Sequence, residues 1–153
     1  MVARELARFD LDPEAVPLHL SPADARKLAI AATLTMDPQL VILDEPTNNL
    51  DEREIHHLMR HLKELQDSGT AVVVITHDVE VACRYADRVV AMSRGKVLLD
   101  GATRRVMQQV DELRQSDVVV PPVVALSLDL WPEAPPALTV EEMAAALQEP
   151  VAA

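Results

Sequence analysis

Two short, unbroken apolar runs stand out along the chain: LVIL over 40–43 and AVVVI over 71–75. Runs of that length, rich in β-branched residues and bounded by polar turns, predict strands of a parallel sheet, buried on both faces. Between them Ile55, Leu58, Met59, Leu62 and Leu65 recur at helical spacing, which predicts a helix with one face in the core. Asp51 caps its start, with Glu54 three residues on, and Ser68-Gly69 stops it. Upstream, residues 2–9 (VARELARF) predict the end of a helix, and residues 10–19, with two prolines, a loop. Ser21 then caps a helix in which Pro22 takes the first position and Asp24 completes a capping box. Leu28, Ile30, Ala31 and Leu34 give it a buried side, and Asp37-Pro38 ends it.

Downstream, Asp78 caps a short helix through Tyr85, and Val89–Met92 with Lys96–Leu99 form a hairpin around Arg94-Gly95. Thr103 is expected to cap a helix through about Arg114. Pro121-Pro122 marks a boundary, PEAPP over 132–136 reads as a linker, and Thr139 with Glu142 opens a last short helix. Strands alternating with helices place the first hundred residues in the α/β class.

Composition narrows the partners. The 153 residues suit one domain, with 49% hydrophobic and 25% charged. Twenty-five acidic against 14 basic residues leave a net charge of −11, which disfavours nucleic-acid binding. The lone Cys83 excludes an internal disulfide and suits a reducing compartment. No apolar run reaches the roughly 18 residues of a spanning helix, and the start lacks a signal-peptide pattern. A membrane role therefore comes through a partner, without direct insertion.

Asp44 and Glu45 follow the first apolar run directly, where a strand leaves the core and where open α/β sheets bind ligands. Burying two unpaired carboxylates costs several kcal/mol each, so they need a cation, donors or water. A hydrated Mg²⁺ beside substrate phosphates fits that need.

At this point the residues meet a family. LVILDEPTNNLD (40–51) resembles the Walker B and D-loop segment of ATP-binding cassette (ABC) ATPases. LSPAD (20–24), with the helix behind it, resembles their LSGGQ signature, and VVVITHD (72–78) their switch-histidine loop. YADRVVAMSRGKVLLDG (85–101) is similar to the segment that follows in transporter cassettes. Order and spacing agree over residues 5–105. The resemblance implies ATP and Mg²⁺ as cofactors. It makes Asp44 the Mg²⁺ residue, acting through water, and Glu45 the general base. His77 becomes the histidine that meets the γ-phosphate. Ser21 and Asp51 become residues that face nucleotide across a dimer interface, Asp51 also capping its helix. The signature departs from the family: Pro22 removes an N–H, Ala23 adds a Cβ, and Asp24 puts negative charge at a helix end that favours phosphate. The other histidines, His19, His56, His57 and His61, read as structural residues; three of them lie along one helix, and metal binding there is the less favoured alternative, since no Cys joins them and no His-Glu-x-x-His pattern occurs.

A phosphate-cradling P-loop needs G-x-x-x-x-G-K-[ST], and the three glycines, Gly69, Gly95 and Gly101, form none. The expected architecture is therefore a partial P-loop NTPase core with parallel strands flanked by helices, a β-hairpin and a small helical C-terminal extension. Residues 1–105 form the second half of a cassette and 106–153 the extension, which is similar to that of energy-coupling factor (ECF) and cobalt-type importer ATPases. The family's core sheet sets its P-loop strand beside the switch-histidine strand, so apolar edges should lie open. The resemblance implies an importer ATPase subunit on the cytoplasmic membrane face, inactive alone, paired with a second cassette subunit and a membrane coupling protein. Two alternatives stay open: a non-catalytic partner with a degenerate signature, and a fragment of an ABC-F-like translation factor.

Overall fold

The computed structural model describes residues 6–7, 9, 11–12, 20–115 and 118–148. The expectations for residues 2–5, 8, 10 and 13–19, His19 included, lie outside them. The chain divides into two compact units, Met1–Thr76 and His77–Ala153.

In the first unit, helix α1 (Pro22–Leu34) precedes strand β1 (Leu40–Asp44), helix α2 (Glu52–Asp67) and strand β2 (Ala71–Ile75). β1 and β2 pair in parallel, Leu40 opposite Ala71 and Asp44 opposite Ile75. A parallel pair needs a crossover between its strands, and α2 supplies it, packing against β2. Asp51 and Glu54 close a reciprocal capping box at its start: Glu54 N–H donates to Asp51 Oδ1 at 2.9 Å and Asp51 N–H to Glu54 Oε2 at 3.1 Å. Gly69, at φ 102°, takes the left-handed turn that ends it. Ile30, Ala31, Leu34, Val41, Leu58, Met59 and Leu62 are buried.

The strands are not covered on both faces, as their apolar runs predict. Val41 is buried, but Leu40, Ile42, Val73 and Ile75, which share the other face, are 52%, 60%, 44% and 51% exposed. An unbroken apolar run states that both faces can be buried; it does not say that the same stretch of chain supplies both covers.

The second unit contains α3 (Val79–Tyr85), the antiparallel hairpin β3 (Arg88–Ser93) and β4 (Lys96–Ala102), and the helices α4 (Thr103–Met107), α5 (Val110–Gln115), α6 (Pro122–Leu130) and α7 (Val140–Gln148). Arg94 and Gly95 both have positive φ, 49° and 74°, the turn that matches the twist of two strands joined by two residues. Cys83, Ala91, Val106, Met107, Leu113, Val124 and Leu138 form one buried cluster, so hairpin and C-terminal helices share a core.

Three local expectations fail here. Thr103 does not cap a helix with its side chain: it is buried, and its hydroxyl donates to the Ala86 carbonyl. The helix it begins breaks after Met107 and resumes at Val110. α6 begins where the proline pair reads as a boundary, because Pro122 takes a first-turn position that needs no N–H. The PEAPP stretch is tied down rather than loose. Arg104 Nη1 donates to the Pro136 carbonyl at 2.7 Å and to Glu142 Oε2 at 3.0 Å, and Ala137 N–H donates to the buried Ser127 Oγ at 3.0 Å.

The one-sided cover of β1–β2 sets up a contrast. Leu58→Ala should lower the stability of the chain by about 2–5 kcal/mol, and Ile42→Thr by less than about 0.5 kcal/mol. Urea denaturation followed by circular dichroism checks both, and equal losses would show the open face to be covered.

Candidate functional site

The ladder between β1 and β2 continues one step beyond the strands: Glu45 N–H donates to the Ile75 carbonyl at 2.8 Å. Glu45 then turns the chain sharply, at φ 46°, a left-handed conformation that costs a residue with a Cβ about 1 kcal/mol or more. Contacts around the turn hold it there. Arg26, from α1, donates through Nη1 to the Glu45 carbonyl at 2.6 Å and to the Asn48 carbonyl at 3.0 Å. Asn48 N–H closes back on the Glu45 carbonyl at 3.3 Å, and Thr76 Oγ1 donates to Glu45 Oε2 at 3.3 Å. Pro46 and Thr47 are buried beneath the turn.

Asp44 and Glu45 are thus brought to the strand mouth together, Asp44 exposed and Glu45 half-buried. Of the cation, donors or water that these carboxylates were expected to need, water reaches Asp44 and a hydroxyl donates to Glu45. Asp51 lies at the far end of the same turn, exposed, with its carboxylate engaged as the α2 cap.

Ser21 caps α1 as expected, accepting from Asp24 N–H at 3.1 Å. The reverse arm of the box differs. The Ser21 hydroxyl donates to Asp24 Oδ2 at 2.8 Å, so its proton is turned onto a carboxylate within the helix's own first turn. His77 is exposed and opens the second unit, one residue after Thr76.

Arg26, Lys27 and Thr76 hold the neighbourhood; Thr76 lies within VVVITHD, but the sequence alone assigns no role to any of the three. Lys27 Nζ donates to Glu54 Oε1 at 2.7 Å and lies 3.7 Å from Asp24 Oδ1. Burial works against the Lys27 charge, but the Glu54 hydrogen bond and the two carboxylate charges outweigh it and raise its pKa. The Lys27 hydrogen bond, with that from Asp51 N–H, lowers the pKa of Glu54. Phe9, Lys27, Asp51, Arg53, Glu54 and His57 line an open cleft of about 360 Å³, which does not include Asp44 or Glu45.

The fit to Mg²⁺-ATP is partial. An exposed carboxylate at a strand end suits a water-coordinated Mg²⁺, and an adjacent carboxylate suits a base. Among the described residues no group of three or more His, Cys, Asp or Glu side chains could hold a metal unaided. The sequence carries no G-x-x-x-x-G-K-[ST] to grip the phosphates.

Comparison with protein-family models finds no match. Among curated proteins, the chain is 38% identical over 130 residues to an ABC transporter ATP-binding protein of Methanosarcina mazei, covering 83% of this chain and 22% of that protein. It is 38% identical over 111 residues to the energy-coupling factor transporter ATP-binding protein EcfA2 of Streptococcus pyogenes, covering 72% and 40%. Among solved structures, cbiO1 of Clostridium perfringens, part of the ABC transporter complex cbiONQ, superposes with a TM-score of 0.63 at 29% identity, over 82% of this chain and 51% of that one. The dimeric bacterial ABC transporter cassette MJ0796 superposes with a TM-score of 0.61 at 30% identity, over 67% and 46%. The chain spans less than half the length of these curated relatives and about half of these solved cassettes.

The Lys27–Glu54 pair has a pH signature. The folded pKa of Glu54 is lowered, so its contribution is present above the unfolded carboxyl value and is lost as pH falls through the folded one. Glu54→Gln should therefore destabilise the chain at neutral pH, with the difference shrinking below about pH 4.3. Denaturation midpoints across that range check it; a constant difference would overturn the pairing.

Proposed function

Over about three quarters of its length this chain is homologous to the ATP-binding proteins of ABC transporters, and from that premise we propose that it is the water-handling half of an ABC-type ATPase. ATP with Mg²⁺, when bound, supplies the phosphoanhydride to be cleaved. Asp44, exposed at the end of β1, would hold the ion through its water shell. Glu45, next along the turn, is the base that orients the attacking water. His77, by the same resemblance, would meet the γ-phosphate. Asp51 and Ser21 face the nucleotide across an interface with a second cassette subunit. The observation that carries this reading is the turn at Glu45: a strained left-handed residue, tied by Ile75, Arg26 and Thr76, at the mouth of a parallel ladder. Strain of that kind concentrates at working sites.

The phosphate grip comes from the part of a cassette that lies outside the matched residues. The open aliphatic face of β1–β2 supports this dependence, since an exposed patch of that kind calls for a cover. The whole assembly is an importer of the energy-coupling factor type at the cytoplasmic membrane face, coupled to a membrane protein. Both relatedness to EcfA2 and the fold shared with cbiO1 support that choice. No helix among the described residues is long and apolar enough to cross a membrane.

One observation favours a second reading, that of a non-catalytic partner. Asp24 places a carboxylate at the α1 N-terminus and accepts the hydrogen bond of the Ser21 hydroxyl, which weakens this end as a phosphate contact.

Nucleotide titration separates these readings. The isolated chain should show no micromolar affinity for ATP, with or without Mg²⁺. Assembled with a P-loop-bearing half, it should hydrolyse ATP, and Glu45→Gln should reduce turnover by about 10²–10⁴-fold while ATP binding persists. Micromolar binding by the chain alone would overturn the claim that the phosphate grip lies elsewhere. Unchanged turnover in Glu45→Gln would leave the second reading.

A further inference from the structure

Glu54, His57, His61 and Glu64 follow one another along one face of α2 at helical spacing. The His57 and His61 rings meet edge to face, and their Nε2 atoms are 3.2 Å apart. His61 is 8% exposed, with the Phe9 ring against it at 5.2 Å between centroids, and its Nδ1 lies 3.3 Å from Glu64 Oε2. A carboxylate only accepts, so the proton of neutral His61 sits on Nδ1 facing Glu64. That leaves its Nε2 with a lone pair turned toward His57. His57 in turn lines the open cleft described above.

We propose that His57 and His61 chelate a zinc-class divalent ion through their two Nε2 atoms, beside a cleft that includes neither Asp44 nor Glu45. Two imidazoles on a tetrahedral ion, each bonded at about 2.0–2.1 Å, have nitrogens about 3.3 Å apart. The observed 3.2 Å already matches that spacing. The ion sits off the line between the two nitrogens, and the His57 proton moves from Nε2 to Nδ1 so that both Nε2 lone pairs are offered to the ion. Glu64 does what an outer carboxylate does for a ligating histidine, fixing tautomer and ring orientation. His57 lines the open cleft, so the ion and the waters of its shell would approach the pair from the His57 side. The charges of the cleft balance, Asp51 and Glu54 against Lys27 and Arg53. Imidazole ligands suit zinc, copper and nickel rather than Mg²⁺. No third protein ligand joins the pair among the described residues, so this is a reversible, water-completed site rather than a closed structural one.

The test is a Zn²⁺ titration of the full chain, cleared of metal by chelator, by calorimetry at near-neutral pH, with Co²⁺ absorption as a report on nitrogen ligands. One ion should bind per chain, and Mg²⁺ in excess should not displace it. Glu64→Gln should weaken binding about 10–100-fold, and His57→Ala should abolish it with the circular dichroism spectrum unchanged. Because His61 is buried, these two variants carry the test rather than a His61 substitution. Absence of Zn²⁺ binding, or binding undiminished in His57→Ala, would overturn the site.

Discussion

The last rung of the parallel ladder, Glu45 N–H on the Ile75 carbonyl, is the constraint on which the candidate site depends. It fixes where β1 ends relative to β2 and forces the chain to turn at once. A glutamate there must adopt a left-handed backbone, and the Arg26 guanidinium, taking two carbonyls of the turn, holds that conformation in place. The same turn delivers Asp51 to the start of α2, whose capping box then sets the helix that crosses back to β2. Strand end, turn, cap and crossover are consecutive in sequence and mutually enforcing, which is the consistency expected of a well-specified fold.

Much of this was legible from residue types alone. The strand over Ala71–Ile75, the Asp51–Glu54 box, the Asp78 cap and the Arg94-Gly95 turn each rest on local chemistry, and local chemistry is what a sequence displays directly. What was not legible depends on distant partners. Thr103 carries a good cap residue's side chain, yet the Ala86 carbonyl takes its hydroxyl. α6 lacked a signal because VVALSLDL is apolar with little periodicity, and its proline start reads equally as a breaker. Arg26 and Lys27 look like ordinary helix-surface cations until the residues they reach, from nineteen to 27 positions away, are known. His57 and His61 likewise pass for structural residues; their spacing was visible, but the Nε2 approach and the Glu64 contact were not.

The uncovered faces follow from the same logic. Binary patterning in β1 and β2 is that of a strand inside a layered sheet, while one of the two layers here is water. Val90, Met92 and Val97 of the hairpin repeat the situation in the second unit. Chains that carry such faces tend to associate through them.

Cys83 gives the second unit a built-in gauge of its own integrity. Its thiol is the only one in the chain, is 5% exposed, and is pushed up to about 11 by burial and by the nearby charges of Glu80 and Glu142. Closed, it presents almost no thiolate to an alkylating reagent. Each transient opening of the cluster of Cys83, Val106, Leu113 and Val124 releases it, so the rate of its chemical labelling counts those openings and leaves the first unit silent.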